Sequence, residues 1–468
     1  MKNTTKIAAS LLALSLAACT VGPDYTPPKA EAPTAWQGKQ SQADFAQIQQ
    51  WWSSFHDAEL DSLVKRAIDG NLDIKMAEQR ILQARAQKDV AAAGYYPTVS
   101  GSGQVAHAHV PNALANLPSG NNLNFFEAGL TMSWELDLWG KTRRAEESAD
   151  ASLGANIEDR RAVLVTLLGE IGQNYSALRA AQMRLEIAKR NLKAEQELVD
   201  ITRAKYSGGL GSELEVAQSE AQLANVMAVL PQLETIVVQQ GNAIAVLMGQ
   251  EPGSLAAELG TPGALPPAPP SLPAALPSDV VRNRPDIREA ERRLAAANAQ
   301  IGVAEAAKYP TLSLDPQAAL AAGTVHQLFS SAAGLWVASA AVKGPIFDGG
   351  KIDANVRSAT AQTEEARLNY KKTVLTAFRE VEDALVAYDA EQRRHQQLVN
   401  ARDASHRALD RATELYKAGL GDFLNVLDGE RNLYTAEDAV AQSEQTLTQQ
   451  TVSLYKALGA GWQAGEPA

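Results

Sequence analysis

Apolar side chains recur every seven residues through long stretches of the chain, and this period constrains the fold more than any other feature. In the first stretch the seventh-residue positions are Leu164, Ile171, Leu178, Leu185, Leu192, Val199 and Tyr206. After a break, the period resumes at Val216, Leu223, Leu230, Val237 and Ile244. This spacing predicts coiled-coil helices. A helix from about Lys141 to Tyr206 would be roughly 100 Å long at 1.5 Å per residue, so it must pack against other helices.

The two halves of the chain repeat one another. Asn71-Leu72-Asp73-Ile74 recurs as Arg284-Pro285-Asp286-Ile287, and Tyr96-Pro97-Thr98 recurs as Tyr309-Pro310-Thr311. The seven-residue period also returns, at Val374, Val381, Tyr388, Leu409, Tyr416, Val426, Leu433, Val440, Leu447 and Leu454. We therefore predict two copies of one architecture, residues 57–250 and 278–458, joined by a Pro-rich extended connector over 251–277.

A different period precedes the long helix of each half. From Phe125 to Leu136 apolar residues occupy every second position, as in a strand with one apolar and one polar face. We predict a strand pair at about 98–136 and another at about 311–347, the second ending near Phe347. Four strands are too few to enclose space, and a sheet in lipid cannot leave open edges, so copies must pool strands. Two chains would give eight strands and three would give twelve; the residues alone leave both numbers open.

The N-terminus has the form of an export signal. Lys2 and Lys6 precede an apolar run too short to span a bilayer, which ends in Leu16-Ala17-Ala18-Cys19. This ending is similar to the lipobox of bacterial lipoproteins. We expect residues 1–18 to be a signal peptide and residues 19–56 to be a Pro-rich segment. The resemblance implies a covalent lipid on Cys19, and Thr20 after it implies transport to the outer membrane.

Charge and motifs argue against several functions. The net charge of -11 disfavours nucleic acid as a partner. His107 and His109 share a strand face, but two isolated histidines near a loop favour solvation over metal binding. Gly350-Lys351 lacks the first glycine and the Ser or Thr of a phosphate loop. We therefore predict a protein that is not an enzyme and has no metal and no cofactor besides the lipid.

Several short motifs, taken in order, resemble one family. They are Trp51-Trp52 with Phe55 and Asp57, Arg284-Pro285-Asp286-Ile287, two Gly-Leu-Gly turns, Val426-Leu427-Asp428 and Ala457-Leu458-Gly459-Ala460-Gly461-Trp462. Together with the lipobox they resemble the TolC-like outer-membrane factors, of the OprM/NodT efflux lipoprotein type. The resemblance implies a mainly α fold in a homotrimer, whose twelve-stranded outer-membrane β-barrel continues into a periplasmic helical barrel. It also implies a periplasmic adaptor and an inner-membrane pump, commonly of the resistance-nodulation-division type.

The resemblance assigns two groups of site residues. The turns that would meet the adaptor are Gly209-Leu210-Gly211 and Gly419-Leu420-Gly421, although plain helix termination explains glycines there as well. The periplasmic gate would contain Leu424, Asp428 and Arg431, because threefold symmetry would place an apolar ring beside a negative one. The alternative is an ordinary exposed pair of Asp428 with Arg431. Gly421 stands where some relatives have a tethering Arg.

Two other readings compete with a trimeric efflux duct. A periplasmic adaptor lipoprotein also has helical hairpins and a lipid anchor, but it would have one hairpin flanked by small β-domains. A coiled-coil scaffold without a pore would have the helices alone.

Residues 459–468 are predicted to be a tail, and nothing in the sequence identifies the cargo.

Overall fold

A computed structural model describes residues 20–29, 32–37, 41–42, 45–109, 122–268 and 273–465. The predicted signal peptide, Cys19 and residues 110–121 of the predicted strand loop lie outside the described residues. The chain forms two compact units. The sheet unit contains Arg80–Asn156, Ala290–Tyr370 and the described residues before 30. The helical unit contains Ile157–Glu289, Lys371 onward and the described residues between 30 and 79.

Within the described residues, the helices are α1 (Ala58–Gly70), α2 (Leu72–Ala92), α3 (Lys141–Ser207), α4 (Glu213–Leu247), α5 (Ala256–Leu259), α6 (Pro277–Asn283), α7 (Pro285–Ala306), α8 (Val325–Leu328), α9 (Lys351–Lys417) and α10 (Phe423–Ala457). The strands are β1 (Ser41–Gln42), β2 (Thr98–His109), β3 (Asn122–Leu136), β4 (Pro273–Ala274), β5 (Thr311–Leu314), β6 (Gln317–Ala322), β7 (Gly334–Val337) and β8 (Ala340–Lys343). Short 3-10 turns cover Phe45–Ile48, Trp51–Phe55, Ala93–Tyr95, Ser331–Ala333 and Trp462–Gly465.

Two hairpins of equal dimensions follow from the seven-residue period. α3 has 67 residues and α4 has 35, and α9 and α10 have the same two lengths. The side chains of Ile171 and Leu178 are fully buried, as are those of Val199 and Val381. The apolar positions that the period selects therefore form the packed seams between helices.

The core of the helical unit is built from the aromatic residues that the sequence motifs contain. Trp51 stacks on Tyr455 with ring centroids 5.3 Å apart, and its edge meets Trp52 and Phe55. Asp57 caps α1 and accepts a hydrogen bond of 2.7 Å from the hydroxyl of Tyr175. These motifs are structural, because they hold the start of the unit against the last helix.

The residues outside the repeats depart from the expected form in two places. The connector 251–277 contains the short helix α5, and α6 begins at its last residue. In the predicted tail, the described residues 459–465 pack onto the helical unit, since Trp462 is buried and lies under the guanidinium of Arg161 at 4.4 Å. Burial of an indole ring against a cation explains why residues 459–465 pack against the helices.

Arg284 links three elements of the helical unit. It is buried, and it donates hydrogen bonds to the carbonyl of Ala457 and to the carboxylates of Asp286 and Glu380. Removing a buried cation leaves a carbonyl and two carboxylates without their donor. The Arg-Pro-Asp-Ile motif therefore fastens the start of α7 to the end of α10.

We expect Arg284→Ala to lower the free energy of unfolding by about 2–4 kcal/mol. Arg282 is a matched control, because its side chain is 72% exposed and pairs with Asp279 within one helix turn. Arg282→Ala should stay within about 0.5 kcal/mol of the parent protein. Thermal melting of the detergent-solubilised variants measures both changes. Equal melting temperatures for the two variants would contradict the fastening role.

The described part of the sheet unit contains one sheet whose central strand is β3. β2 pairs antiparallel with it over its full length, with Thr98 opposite Ser133 and His109 opposite Asn122. On its other side lie β6 and then β5, also antiparallel. β7 pairs with β6, and β8 pairs with β5. The sheet is therefore four strands wide.

The prediction of two continuous strands at about 311–347 was wrong. The structure divides each strand in two, at Asp315-Pro316 and at Ala338-Ser339, and the last strand ends at Lys343 rather than near Phe347. Pro316 and Pro345 have no N–H to donate to a strand ladder. The break is bridged by the amide of Asp315, which donates to the carbonyl of Ser339 at 2.9 Å.

Both outer edges of this sheet are open. In the part of the chain that the structure describes, β2 pairs on one side with β3, and β7 and β8 pair on one side with β6 and β5. The other side of each strand has N–H and C=O groups without a strand partner. Unpaired backbone groups in lipid cost several kcal/mol each, so these edges need further strands.

Candidate gating and docking site

The two Gly-Leu-Gly segments make nearly identical turns between the long helices. Gly209 and Gly419 adopt left-handed φ values of +72° and +73°. In both turns the leucine amide donates to a carbonyl five residues back, from Leu210 to Lys205 and from Leu420 to Leu415. A side chain at the last glycine has little room, because a Cβ atom on Gly421 would lie 2.9 Å from that of Leu415. Glycine at these positions permits the sharp reversal.

Each turn is followed by a helix whose N-terminus is capped by a side chain. The hydroxyl of Ser212 accepts from the amide of Glu215, and the Glu215 carboxylate accepts from the amide of Ser212. In the second turn Asp422 caps α10 by accepting from the amide of Leu424. Capping satisfies amides that have no partner within the helix, so both turns are firmly defined.

The structure brings the two predicted turns together. The ammonium of Lys205, four residues before Gly209, lies 3.5 Å from the ring centroid of Tyr416. Tyr416 packs against Phe423 in a buried cluster that also contains Leu198, Val426 and Leu427. The hairpin ends therefore form one site, which we call the tip: residues 205–212 and 416–428.

Two leucines project from the tip into solvent. The side chain of Leu210 is 83% exposed and that of Leu420 is 79% exposed. By contrast, Phe423, which follows the second turn, is buried. Exposed apolar side chains in the turns of two helical hairpins are suited to contact with another protein.

The predicted gate residues lie on α10 next to the second turn. Leu424 is 46% exposed, and Asp428 and Arg431 are also exposed. Leu424 and Asp428 are four residues apart and share one helix face. Arg431 lies close enough to the buried Glu195 of α3 for its charge to act on that carboxyl.

Sequence reasoning missed the buried polar residues beside the tip. Thr202 of α3 and Ser219 of α4 are buried, and their hydroxyls are 3.0 Å apart. Glu195 is fully buried, and Glu430 of α10 faces it. These residues occupy inner positions of the seven-residue pattern, where an apolar residue is expected. A polar residue at a core position is the signal that could have revealed them.

The two histidines considered for a metal each have a different partner. The Nδ1 atom of His107 lies 2.6 Å from the side-chain oxygen of Asn124, and that of His109 lies 2.7 Å from the side-chain oxygen of Asn122. Both contacts are cross-strand pairs of β2 with β3. This arrangement gives the histidines a role in strand pairing.

Comparisons with known proteins agree with this architecture. The sequence profile of the family described as "Outer membrane efflux protein" matches residues 63–250 and 276–460. Nodulation protein T of Rhizobium leguminosarum bv. viciae is 33% identical, with 98% of this chain and 94% of that protein covered. The probable efflux pump outer membrane protein TtgC of Pseudomonas putida is 32% identical, with 97% and 96% covered.

A solved structure shows the same fold. The outer-membrane channel OprN superposes with a TM-score of 0.86 at 36% identity, covering 95% of this chain and all of that one. The family match spans most of the sequence, and the structural match includes both the helices and the sheet. The chain therefore belongs to the outer membrane efflux protein family and is an outer-membrane component of an efflux system.

Proposed function

We propose that three copies of this chain form a passive duct through the outer membrane, which exports small molecules and is gated at the tip. The observation that carries the proposal is the open-edged sheet. β2 lies at one edge and β7 with β8 at the other, so an edge of one copy can pair with the opposite edge of the next. Copies joined in this way close into a barrel.

Three copies are favoured over two by the size of the lumen. Four strands per copy give eight strands in a dimer and twelve in a trimer. An eight-stranded barrel is filled by its own side chains or holds one small ligand. A twelve-stranded barrel leaves an open channel, as export requires.

The surface of α4 also supports association of copies. An 18-residue window of this helix has a mean hydropathy of 1.3, yet only 11% of the window is buried within the chain. The exposed apolar side chains on it include Leu214, Met227, Val238 and Val246. Burial against a neighbouring copy would remove this apolar surface from water at about 25 cal/mol per Å².

The described residues after Cys19 lie beside the sheet, which supports a lipid anchor at that place. Val21 donates to the carbonyl of Trp139, just after β3, and buried Arg144 pairs with Asp24 at 2.8 Å. A lipid on Cys19 would thus enter the membrane beside the end of β3. Because acyl chains bury many methylene groups at about 0.8 kcal/mol each, this anchor would hold each copy in the outer membrane.

The duct would receive its cargo from other proteins and perform no chemistry itself. The name of the relative TtgC refers to an efflux pump. By analogy, a periplasmic adaptor would contact the tip, and an inner-membrane pump of the resistance-nodulation-division type would drive export. The proposal thus assigns conduction to this chain and energy coupling to its partners.

The test is the mass of the detergent-solubilised particle, measured by light scattering, together with its conductance in a planar bilayer. We expect a protein mass three times that of one processed chain and stepwise channel currents. A dimeric or monomeric mass would contradict the trimer. A trimer that passes no current, even with its gate residues substituted, would favour a scaffold.

A further inference from the structure

Two glutamates from different hairpins meet beside the tip, inside the helical unit. Glu195 of α3 has no exposed surface, and Glu430 of α10 is half-buried. In the described part of the chain, both carboxylate oxygens of Glu195 and the Oε2 atom of Glu430 are buried without a hydrogen-bond partner of good geometry. Buried carboxylates are normally paired or fully hydrogen-bonded, so this juxtaposition requires an explanation.

The groups around the pair leave it short of positive charge. From α4 the uncharged amide of Gln222 faces Glu195, and from α10 Arg431 acts on Glu195 by its charge. From α9 the aliphatic Leu409 packs against Gly429, next to Glu430. Arg203 of α3 forms an ion pair with Glu220, with its Nη2 atom 2.7 Å from Oε1 of that carboxylate. Arg431 is thus a cation whose charge reaches Glu195 from an exposed position.

Both carboxyls resist ionisation. Burial raises the pKa of Glu195, against the smaller opposing effects of its contacts with Gln222 and Glu430 and of the charge of Arg431. Burial, and then the charge of Glu195, raise the pKa of Glu430 to about 8. Two carboxyls that face one another in a buried place hold a proton that separated, hydrated carboxyls would lose.

We propose that Glu195 and Glu430 form a proton-binding switch that holds α3 to α10 beside the gate while they share a proton, and loosens this contact when both are charged. The inference rests on the proposed gating at the tip. Its location supports it: Leu198, one turn after Glu195, packs in the same cluster as Val426 and Leu427, one turn before Glu430. Separation of this pair would therefore displace the part of α10 that holds Leu424 and Asp428.

The sign of the pH effect follows from linkage. In the closed tip Glu430 has a raised pKa, whereas in an open tip water would return that pKa toward 4.5. The closed state then binds more protons than the open state. As pH falls from about 8 toward 4.5, the ratio of open to closed channels should fall by up to about tenfold per pH unit.

Planar-bilayer recordings between pH 5 and pH 9 test the proposal on the intact particle. We expect the open probability of the parent protein to rise with pH. The single variant Glu430→Gln and the double variant Glu195→Gln with Glu430→Gln should keep a low open probability that does not change with pH. Glu220→Gln is the control, because Glu220 is an exposed glutamate nearby on α4. Variants that retain the parent pH response would overturn the switch.

Thermal melting of the same variants is a second measurement that does not depend on conduction. The melting temperature of the parent protein should fall as pH rises from about 4.5 to about 8 and then level off, because the folded state holds the proton more tightly than the unfolded state. Glu430→Gln should remove this fall. If melting follows this expectation and no variant conducts, the proposed duct fails and proton binding stands. A melting temperature raised by Mg²⁺ or Ca²⁺ in the parent but not in Glu430→Gln would assign the pair to a metal and overturn the proton switch.

Discussion

Substitution of Leu424→Ala together with Asp428→Ala should increase the single-channel conductance of the reconstituted protein severalfold. In the proposed trimer, three Leu424 side chains narrow the channel with an apolar ring, and three Asp428 carboxylates form a negative ring one helix turn away. An apolar constriction blocks ions by excluding water, and its removal admits a continuous water column. The expected gain is large because conductance is limited by the narrowest segment.

Single substitutions separate the two rings. Leu424→Ala should account for most of the rise in conductance. Asp428→Asn preserves side-chain size and removes the charge, so it should reduce the preference for cations with a smaller change in conductance. Both residues are exposed in one chain, so each change should alter stability by less than about 1 kcal/mol. Parent-like conductance in a trimer with the double substitution would remove these residues from the gate.

The helical part of this fold could be predicted because a repeated local rule dictates it. The long helix expected from about Lys141 to Tyr206 is observed as Lys141–Ser207. The break after it was visible because Gly209 and Gly211 interrupt the apolar period. Long, strongly periodic segments are read reliably, since every turn of the helix repeats the same information.

The sheet was predicted less completely because its second half depends on interactions between strands. Alternation marked β3 clearly, from Phe126 to Leu136. The segments after Thr311 also alternate, but Pro316 divides one strand, and the bridge from Asp315 to Ser339 cannot be seen in either strand alone. Pairing across a sheet is a tertiary property. The pattern within one segment therefore predicts that a strand is present more reliably than it predicts whether that strand is continuous.

The tip was predicted in part. Family resemblance selected the glycines and the gate residues on α10. It did not select Glu195, because a lone glutamate in a helix reads as an exposed side chain until its position within the seven-residue pattern is considered. Its partner Glu430 lies in the other half of the chain. No local pattern connects two residues that only the packing of two hairpins brings together.

Replacement of both exposed tip leucines should disconnect the channel from its adaptor without closing it. Leu210→Glu with Leu420→Glu places charge at two largely exposed positions of the tip. Each of these leucines would be buried in the interface with the adaptor. Loss of one such leucine lowers the binding free energy by about 1.5 kcal/mol or more, which corresponds to roughly tenfold in affinity per site. Because both turns of each copy are altered, affinity for the purified adaptor of the same efflux system should fall by at least about 100-fold.

Leu210→Met with Leu420→Met is the matched control, because methionine keeps an apolar side chain of similar volume and should retain binding. The glutamate variant should keep its trimeric mass and its conductance, since neither leucine belongs to the buried cluster or to the gate face. Surface plasmon resonance with immobilised trimer measures the affinities. Undiminished binding by a correctly assembled glutamate variant would place the adaptor contact elsewhere on the helices, and loss of binding in the methionine variant as well would show that the turns require leucine itself rather than an apolar surface.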